Sequence, residues 1–305
     1  MSVITIAIPT YNRGAIVVET LRRLFALTPP AAAIIVVDQS PELNPELLRW
    51  HSEGMIRHIH LEAPSIPHAM NVALQEACTP RVLFLDDDIE PSTQLIAAHA
   101  QSHREHGATA VVGQILQPGE VPMHVEQPPD DLEFRFHADR GRFLSNVMAG
   151  NLSVDRERAL AIGGFDENFV GAAHRFETDF AVRLVAAGGT IWFEPQASIH
   201  HLKLATGGLR SFGDHRSSAS PAHSVGDYYF ALRHRPPFWR YALARIRRNV
   251  ATQYHLCHPW TIPTKLVGEL RGLLLARHLA RGGPRLLRVE GEMHNGRTAF
   301  TKSTS

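Results

Sequence analysis

Cysteine is almost absent: the 305 residues hold two, Cys78 and Cys257. Two cannot build a disulfide framework, and their spacing is not that of a metal knuckle. Buried free thiols in a reducing compartment are expected instead. Long apolar runs are missing as well; none approaches the ~18 residues that cross a bilayer. The opening MSVITIAIPTYNR lacks a charged n-region, a long apolar h-region and a small-residue cleavage site, so a cytoplasmic protein is expected. There is no internal repeat and no extended low-complexity tract. Net charge is nearly nil at +1, so overall charge names no partner. No recognised nucleic-acid motif is present, and nucleic acid is not an expected partner.

What charge there is lies unevenly. From Gly226 onward the chain has fourteen Lys and Arg against four acids, Asp227, Glu269, Glu290 and Glu292. Trp239, Tyr241, Leu243 and Ile246 alternate there with Arg240, Arg245, Arg247 and Arg248. That pattern suits an amphipathic helix at an anionic membrane surface, making the protein peripheral at the inner face. A solvated face of a packing helix is the plainer alternative.

The first half alternates strand and helix signals. Apolar runs at residues 3–8, 34–37, 56–61, 82–85 and 110–113 predict strands; helical spacing over 14–27 and 66–77, and after Pro91, predicts helices. Such alternation implies βαβ units with ligands outside the carboxyl ends of the strands. Asp38 and Asp86, Asp87 and Asp88 stand at two such ends, so they should share one crevice. Residues 117–141 read as a long surface excursion. A helix is predicted from about Glu177 to Ala187, short strands at 191–193 and 197–199, a Gly-, Ser- and His-rich loop at 202–224, and a helical remainder broken by prolines.

The run Val82-Leu83-Phe84-Leu85-Asp86-Asp87-Asp88 carries the most chemistry. Three adjacent carboxylates repel one another and need compensation. A divalent cation supplies it, since hard cations take carboxylate oxygens and leave room for substrate phosphates. An acidic cap on the following helix is the alternative. The first loop is not G-x-G-x-x-G, which removes the phosphate cradle of a dinucleotide site.

Ile8-Pro9-Thr10-Tyr11-Asn12-Arg13 resembles the opening signature of the family 2 glycosyltransferases. Val36-Val37-Asp38-Gln39-Ser40 resembles their second-strand motif, Phe84-Leu85-Asp86-Asp87-Asp88 their Asp-x-Asp metal motif, and Gly163-Gly164-Phe165-Asp166-Glu167 their acceptor-side motif. The resemblance spans roughly residues 3–201. It implies an α/β GT-A fold, a Rossmann-like mixed sheet flanked by helices with a helical C-terminal extension. It also implies an inverting, metal-dependent transferase that moves a sugar from a UDP- or dTDP-sugar to a hydroxyl of a glycan, lipid-linked or other acceptor. The expected division is 1–224 for the catalytic domain, with 1–116 binding the nucleotide sugar and 142–201 serving the acceptor, and 225–305 for the basic extension.

Carried over position by position, Pro9, Thr10 and Tyr11 border base and ribose, and Asp38 bonds the base. Asn71, Asp86 and Asp87 serve the donor. Asp88 and His201 hold Mn²⁺ or Mg²⁺, with His200 a weaker candidate. Glu177 is the base, with Asp179 the later acid. Arg210, after Gly207-Gly208, could fork a phosphate, or simply belong to a polar loop. Two positions depart from the family: Met70 replaces an arginine and Phe176 a glutamate. They support a rival reading, a non-catalytic nucleotide-sugar-binding or scaffold protein on the same fold. A nucleotidyltransferase is a weaker rival, lacking its Gly-rich basic loop.

Overall fold

The computed structural model describes residues 3–124, 134–204, 207–208 and 214–288. In the first half, β1 (Ile4–Thr10), α1 (Gly14–Phe25), β2 (Ala33–Asp38), α2 (Pro45–Ser52), β3 (Arg57–His60), α3 (Ile66–Glu76) and β4 (Arg81–Leu85) follow one another, then β5 (Ile89–Pro91), α4 (Leu95–Glu105) and β6 (Ala110–Leu116). The second half adds β7 (Arg142–Leu144), β8 (Asn151–Asp155), α5 (Arg156–Ala161), α6 (Phe176–Ala186) and β9 (Ile191–His201). Four helices close the described chain: α7 (Val225–His234), α8 (Phe238–Val250), α9 (Gln253–Cys257) and α10 (Thr261–Arg281).

The strands form one sheet in the order β3-β2-β1-β4-β8-β6-β9-β5, with β7 paired to β9. β1 is parallel to β2 and β4, and β2 to β3. The carboxyl ends of β1, β2 and β4 therefore open on one side, where the loops after Thr10, Asp38 and Leu85 meet. β8 runs antiparallel between β4 and β6, so the sheet is mixed. α2 is an unforeseen helix; Asn44 caps it, its Oδ1 accepting from Glu46 N at 2.9 Å, with Pro45 at the first turn, a favourable start. Phe134, Phe136 and Ala138 are buried, so the far end of the supposed surface excursion belongs to the core. Cys78 and Cys257 are free but exposed, not buried.

β9 is one strand rather than two short ones, with an irregularity inside it. Between the pairs Gly113–Glu194 and Ile115–Ile199, β9 uses three residues more than β6. Asn151 fills the break, its Nδ2 donating to Gln114 O at 3.1 Å and Ala197 O at 2.7 Å. Gly113 makes room: a Cβ there would lie 2.1 Å from Ala197 O.

The helices from Val225 onward are part of this body. Tyr228, Tyr229 and Phe230 of α7 are fully buried and join the main core. Asp166, itself buried, ties them down: its Oδ2 accepts from Tyr229 Oη at 2.8 Å and from Arg233, and its Oδ1 accepts from Arg285 N at 2.9 Å. No helix among the described residues is long and apolar enough to cross a membrane.

α4 packs two histidines against β8. Ser153 Oγ lies 2.8 Å from both His99 Nδ1 and His103 Nε2. Burial lowers each imidazole from its ordinary 6.5 to about 4. The unfolded chain protonates both rings as pH drops through about 6.5, while the folded protein withholds those protons down to about 4. Each ring thus removes up to about 1.4 kcal/mol of stability per pH unit across that window. The expected outcome is a melting temperature that falls from pH 6.5 to 4, with neither ring titrating by NMR above about pH 5. A ring that titrates near 6.5 in the folded protein would contradict it.

Candidate active site

The loop after β1 is held from both sides. Asn12 takes a left-handed φ of 53°, which asparagine tolerates, and its N–H donates to Ser40 Oγ at 2.7 Å. This places Arg13 over the end of β4. Arg13 Nη1 reaches Asp87 Oδ1 at 2.8 Å and Asp88 Oδ2 at 3.4 Å, and Nη2 donates to Leu204 O at 2.9 Å. Thr10 Oγ1 donates to Asp87 Oδ2 at 2.7 Å. Burial pushes the Asp87 carboxyl up to about 6 against the pull of Arg13. Asp87 thus ties the loop after β1 to the end of β4 while also lining the cleft.

Its neighbours face the opening. Asp86 is half exposed, and Gly150 sits against it: a Cβ at 150 would stand 2.4 Å from Asp86 Oδ2. β9 delivers His201, whose Nε2 lies 3.0 Å from Asp88 Oδ1 and 3.6 Å from Asp86 Oδ2, with Nδ1 3.1 Å from Gln117 Oε1. Asp88 Oδ2 accepts from Leu204 N at 3.1 Å. Burial raises the Asp88 pKa, but His201 and the Leu204 N–H outweigh it and hold the carboxyl below its ordinary value. The hydrogen bond to Asp88 raises that of His201 in return. His200 is exposed and points elsewhere.

These groups line a cleft of about 350 Å³ with Pro9, Thr10, Tyr11, Gln39, Met70, Phe176 and Glu177. A second cavity of about 250 Å³ adjoins it; Met148 and Glu177 line both. Asn146, His174, Arg175, Thr178 and Asp227 also line the second cavity. Arg175 precedes α6 with φ 71°, a conformation that costs about 1–2 kcal/mol for a residue with a Cβ. α7 braces it: Asp227 Oδ1 lies 3.3 Å from Arg175 Nε. Gly226 allows the approach, since a Cβ there would meet His174 O at 2.3 Å. Glu177 follows in the first turn of α6, where the helix dipole favours a carboxylate.

Three expected site residues are used otherwise. Asp38 is buried, its Oδ1 accepting from Ser40 N at 2.9 Å and its Oδ2 3.3 Å from His58 Nε2. Burial raises its pKa, yet the His58 and Ser40 bonds leave it below the ordinary value. Its neighbour Gln39 forms the cleft wall instead. Asn71 is fully buried and spends its amide on Phe165 N, Phe165 O and Glu167 Oε1, all within 3.0 Å; it clamps the Gly-Gly-Phe turn and does not reach the cleft. Asp179 is fully buried on the far side of α6, with His234 at 2.7 Å, Arg183 at 2.7 Å and Arg233 at 3.1 Å. Burial raises its pKa, but these three groups outweigh that and keep it ionised. Arg210 lies outside the described residues. Arg13, Gln39, Gly150, Arg175 and Asp227 are site residues that the sequence reading missed. Of these, only Arg13 sat within a quoted motif as a charged residue in need of a role.

Among the described residues no group of three or more His, Cys, Asp or Glu is arranged to hold a metal. The fit lies in two donors. Asp88 Oδ1 is sealed from solvent and, apart from its ion-pair neighbour His201, has no directed hydrogen bond. One carboxylate and one imidazole beside an open cleft suit a Mn²⁺ or Mg²⁺ ion whose remaining ligands come from substrate phosphate and water.

Residues 5–154 match the family model described as Glycosyl transferase family 2. The chain is 28% identical over 279 residues to succinoglycan biosynthesis protein ExoM of Rhizobium meliloti (strain 1021), covering 84% of this chain and 85% of that protein. It is similar to the crystal structure of GalNAc-T7 with UDP, GalNAc and Mn²⁺, at a TM-score of 0.55 and 16% identity over 81% of this chain. It spans 54% of that longer chain. It is also similar to the mannosyltransferase PcManGT of Pyrobaculum calidifontis in complex with GDP-Man and Mn²⁺, at a TM-score of 0.54 and 19% identity, covering 92% and 79% of the two chains. At these identities the structural likeness establishes the fold, that of the GT-A glycosyltransferases.

Asp179→Asn is expected to destabilise the protein by about 3–5 kcal/mol, as breaking a buried ion cluster does, while nucleotide affinity of the folded fraction stays unchanged. Thermal melting and calorimetry check it; a stable but inactive variant would return Asp179 to the catalytic set.

Proposed function

Since the chain belongs to glycosyl transferase family 2, we propose that it transfers a sugar from a UDP- or dTDP-sugar to a hydroxyl of a glycan or lipid-linked acceptor, with inversion. One observation carries the reading: among the described residues, Glu177 is the one carboxylate that lines both cavities. The larger cleft takes the donor and the smaller one the acceptor, so Glu177 stands between them.

Tyr11 offers a ring face to the base, beside Pro9 and Thr10. Gln39 is the base contact in place of Asp38. Its Oε1 is occupied by Ser65 N at 2.6 Å, leaving Nε2 as a buried donor without a partner among the described residues. An amide N–H of that kind takes a ring carbonyl such as O4 of uracil or thymine.

Asp88 and His201 would hold the divalent cation, with Asp86 contacting ribose or a metal-bound water. When bound, the ion neutralises charge on the departing nucleoside diphosphate. The Mn²⁺ in both similar structures supports that choice. Glu177 accepts the acceptor hydroxyl's proton while its oxygen attacks the anomeric carbon from the face opposite the leaving group. Arg175 and Asp227 flank the acceptor and can bond its hydroxyls. Met70 and Phe176 form apolar wall in the donor cleft, where they limit the water that competes with the acceptor. An acceptor carried on a lipid brings the basic tail to an anionic membrane surface.

Asp88→Ala should abolish metal-dependent donor binding by the folded fraction, at some cost in stability because Arg13 and His201 lose a buried partner. Calorimetry with UDP or dTDP and Mn²⁺ reads it, and unchanged affinity would remove the metal assignment. Glu177→Gln should lower turnover by about 10²–10⁴-fold with donor affinity nearly unchanged, measured as donor hydrolysis or transfer. Wild-type turnover in that variant would disprove the base; no hydrolysis of any donor by the native protein would favour binding without catalysis.

A further inference from the structure

α10 is amphipathic in the reverse sense. Its buried positions include Lys265, Gly268, Glu269, Gly272 and Ala276, whereas Leu266, Val267, Leu270 and Leu274 are 42–57% exposed. The orientation is locked. Glu269 is held by Lys265 at 2.8 Å, by Arg245 at 3.0 Å and by Tyr228 Oη at 2.8 Å. The two glycines let the helix lie directly on its neighbours: a Cβ at 272 would stand 2.0 Å from Ser224 Oγ, and one at 268 would stand 2.7 Å from Ser218 O. Rolling the leucines inward would expose that carboxylate cluster and drive side chains into those contacts.

The exposed residues are grouped. Leu266, Leu270 and Leu274 recur every fourth position and so form one stripe. Arg277 and Arg281, both exposed, follow it along the helix, and Arg271 stands beside it. Ahead of the stripe, Leu256 is 78% and Trp260 70% exposed. The exposed charge that α8 to α10 themselves carry has one sign; Asp214, beside α9, is paired to Arg216. Asp227 and Glu269, the two described acids of 225–288, are both buried and both paired to Arg245. The outer surface of α8 to α10 therefore shows Arg240, Arg247, Arg248 and Arg271 with no described carboxylate among them.

We propose that the face formed by α9 and α10 is a membrane-docking surface. Leu256, Trp260, Leu266, Leu270 and Leu274 enter the interface of an anionic phospholipid bilayer, and the arginines bind its headgroup phosphates. A second copy would bury the same leucines but set arginine against arginine. The inference deepens the lipid-side reading of the tail and rests on that reading alone, independent of the transferase chemistry. It also moves the contact. α8, the helix that sequence pattern favoured, spends Arg245 and Tyr241 inward on Asp227, so its contribution is confined to Trp239, Leu243 and the exposed arginines.

The test is cosedimentation of the full chain with vesicles of phosphatidylcholine, with and without phosphatidylglycerol. Binding to the anionic vesicles is expected, with a part that survives high salt because it is apolar. Leu270→Glu/Leu274→Glu should weaken it by at least ~10-fold, since two interfacial anchors become anions facing anionic lipid. Melting temperature and nucleotide affinity should not move, because both side chains point to water. Equal binding by the variant, or no binding by the native chain at low salt, overturns the proposal. So does a concentration-dependent dimer, seen by light scattering, that the same substitutions dissociate. Donor hydrolysis measured on the same samples reports on the transferase reading separately.

Discussion

Three successive carboxylates at the end of β4 must be kept apart and charged in the same few ångströms, and the molecule is arranged around that repulsion. Each acid meets a different answer. Asp87 is withdrawn into the protein and tied to Thr10 and Arg13. Asp88 is flanked by His201, Arg13 and the Leu204 N–H. Asp86 remains toward the cleft against a glycine. Arg13 is thereby the local counterion for two of the three. The first loop, the end of β4 and the segment after β9 close on one another because each supplies part of the compensation. A cluster that would be unstable alone becomes the point where three distant stretches of chain are joined.

A second set of buried charges joins the helical tail to the catalytic body. Asp166, Asp179 and Asp227 each engage arginines of α7 or α8. Asp227 at the same time braces Arg175, the strained residue just before Glu177. The tail thus supports the geometry of the segment that leads into Glu177.

The strand ends and the carboxylate run could be read from sequence, because alternation and short apolar runs place strand ends within a residue or two; the pairing of His201 with Asp88 followed from the family resemblance. The roles of Asp38, Asn71 and Asp179 could not. A carboxylate or amide in a motif looks the same whether it faces a ligand or a backbone N–H, and only the fold reveals Ser40, Phe165 and Arg183 as their partners. Gln39 and Gly150 were invisible for a related reason, since one matters by a missing partner and the other by a missing side chain. β8 and the bulge in β9 depend on pairings between segments far apart in the chain, which local pattern does not encode. In α10 local pattern gives no guide to the face: leucines at helical spacing suit a core, yet the core face is the one with glycines and an ion cluster.

The three additional residues that β9 spends opposite Gly113 and Ile115 have a bearing on the chain's tolerance of change. Side chains of a strand alternate, so an odd excess exchanges the two sides for everything that follows it. His201 looks toward Asp88 and His200 away because the excess is odd. Because β9 is in register with β6 on both sides of the irregularity, a change of length between Glu194 and Ile199 must either be absorbed within it or carry His201 away from Asp88.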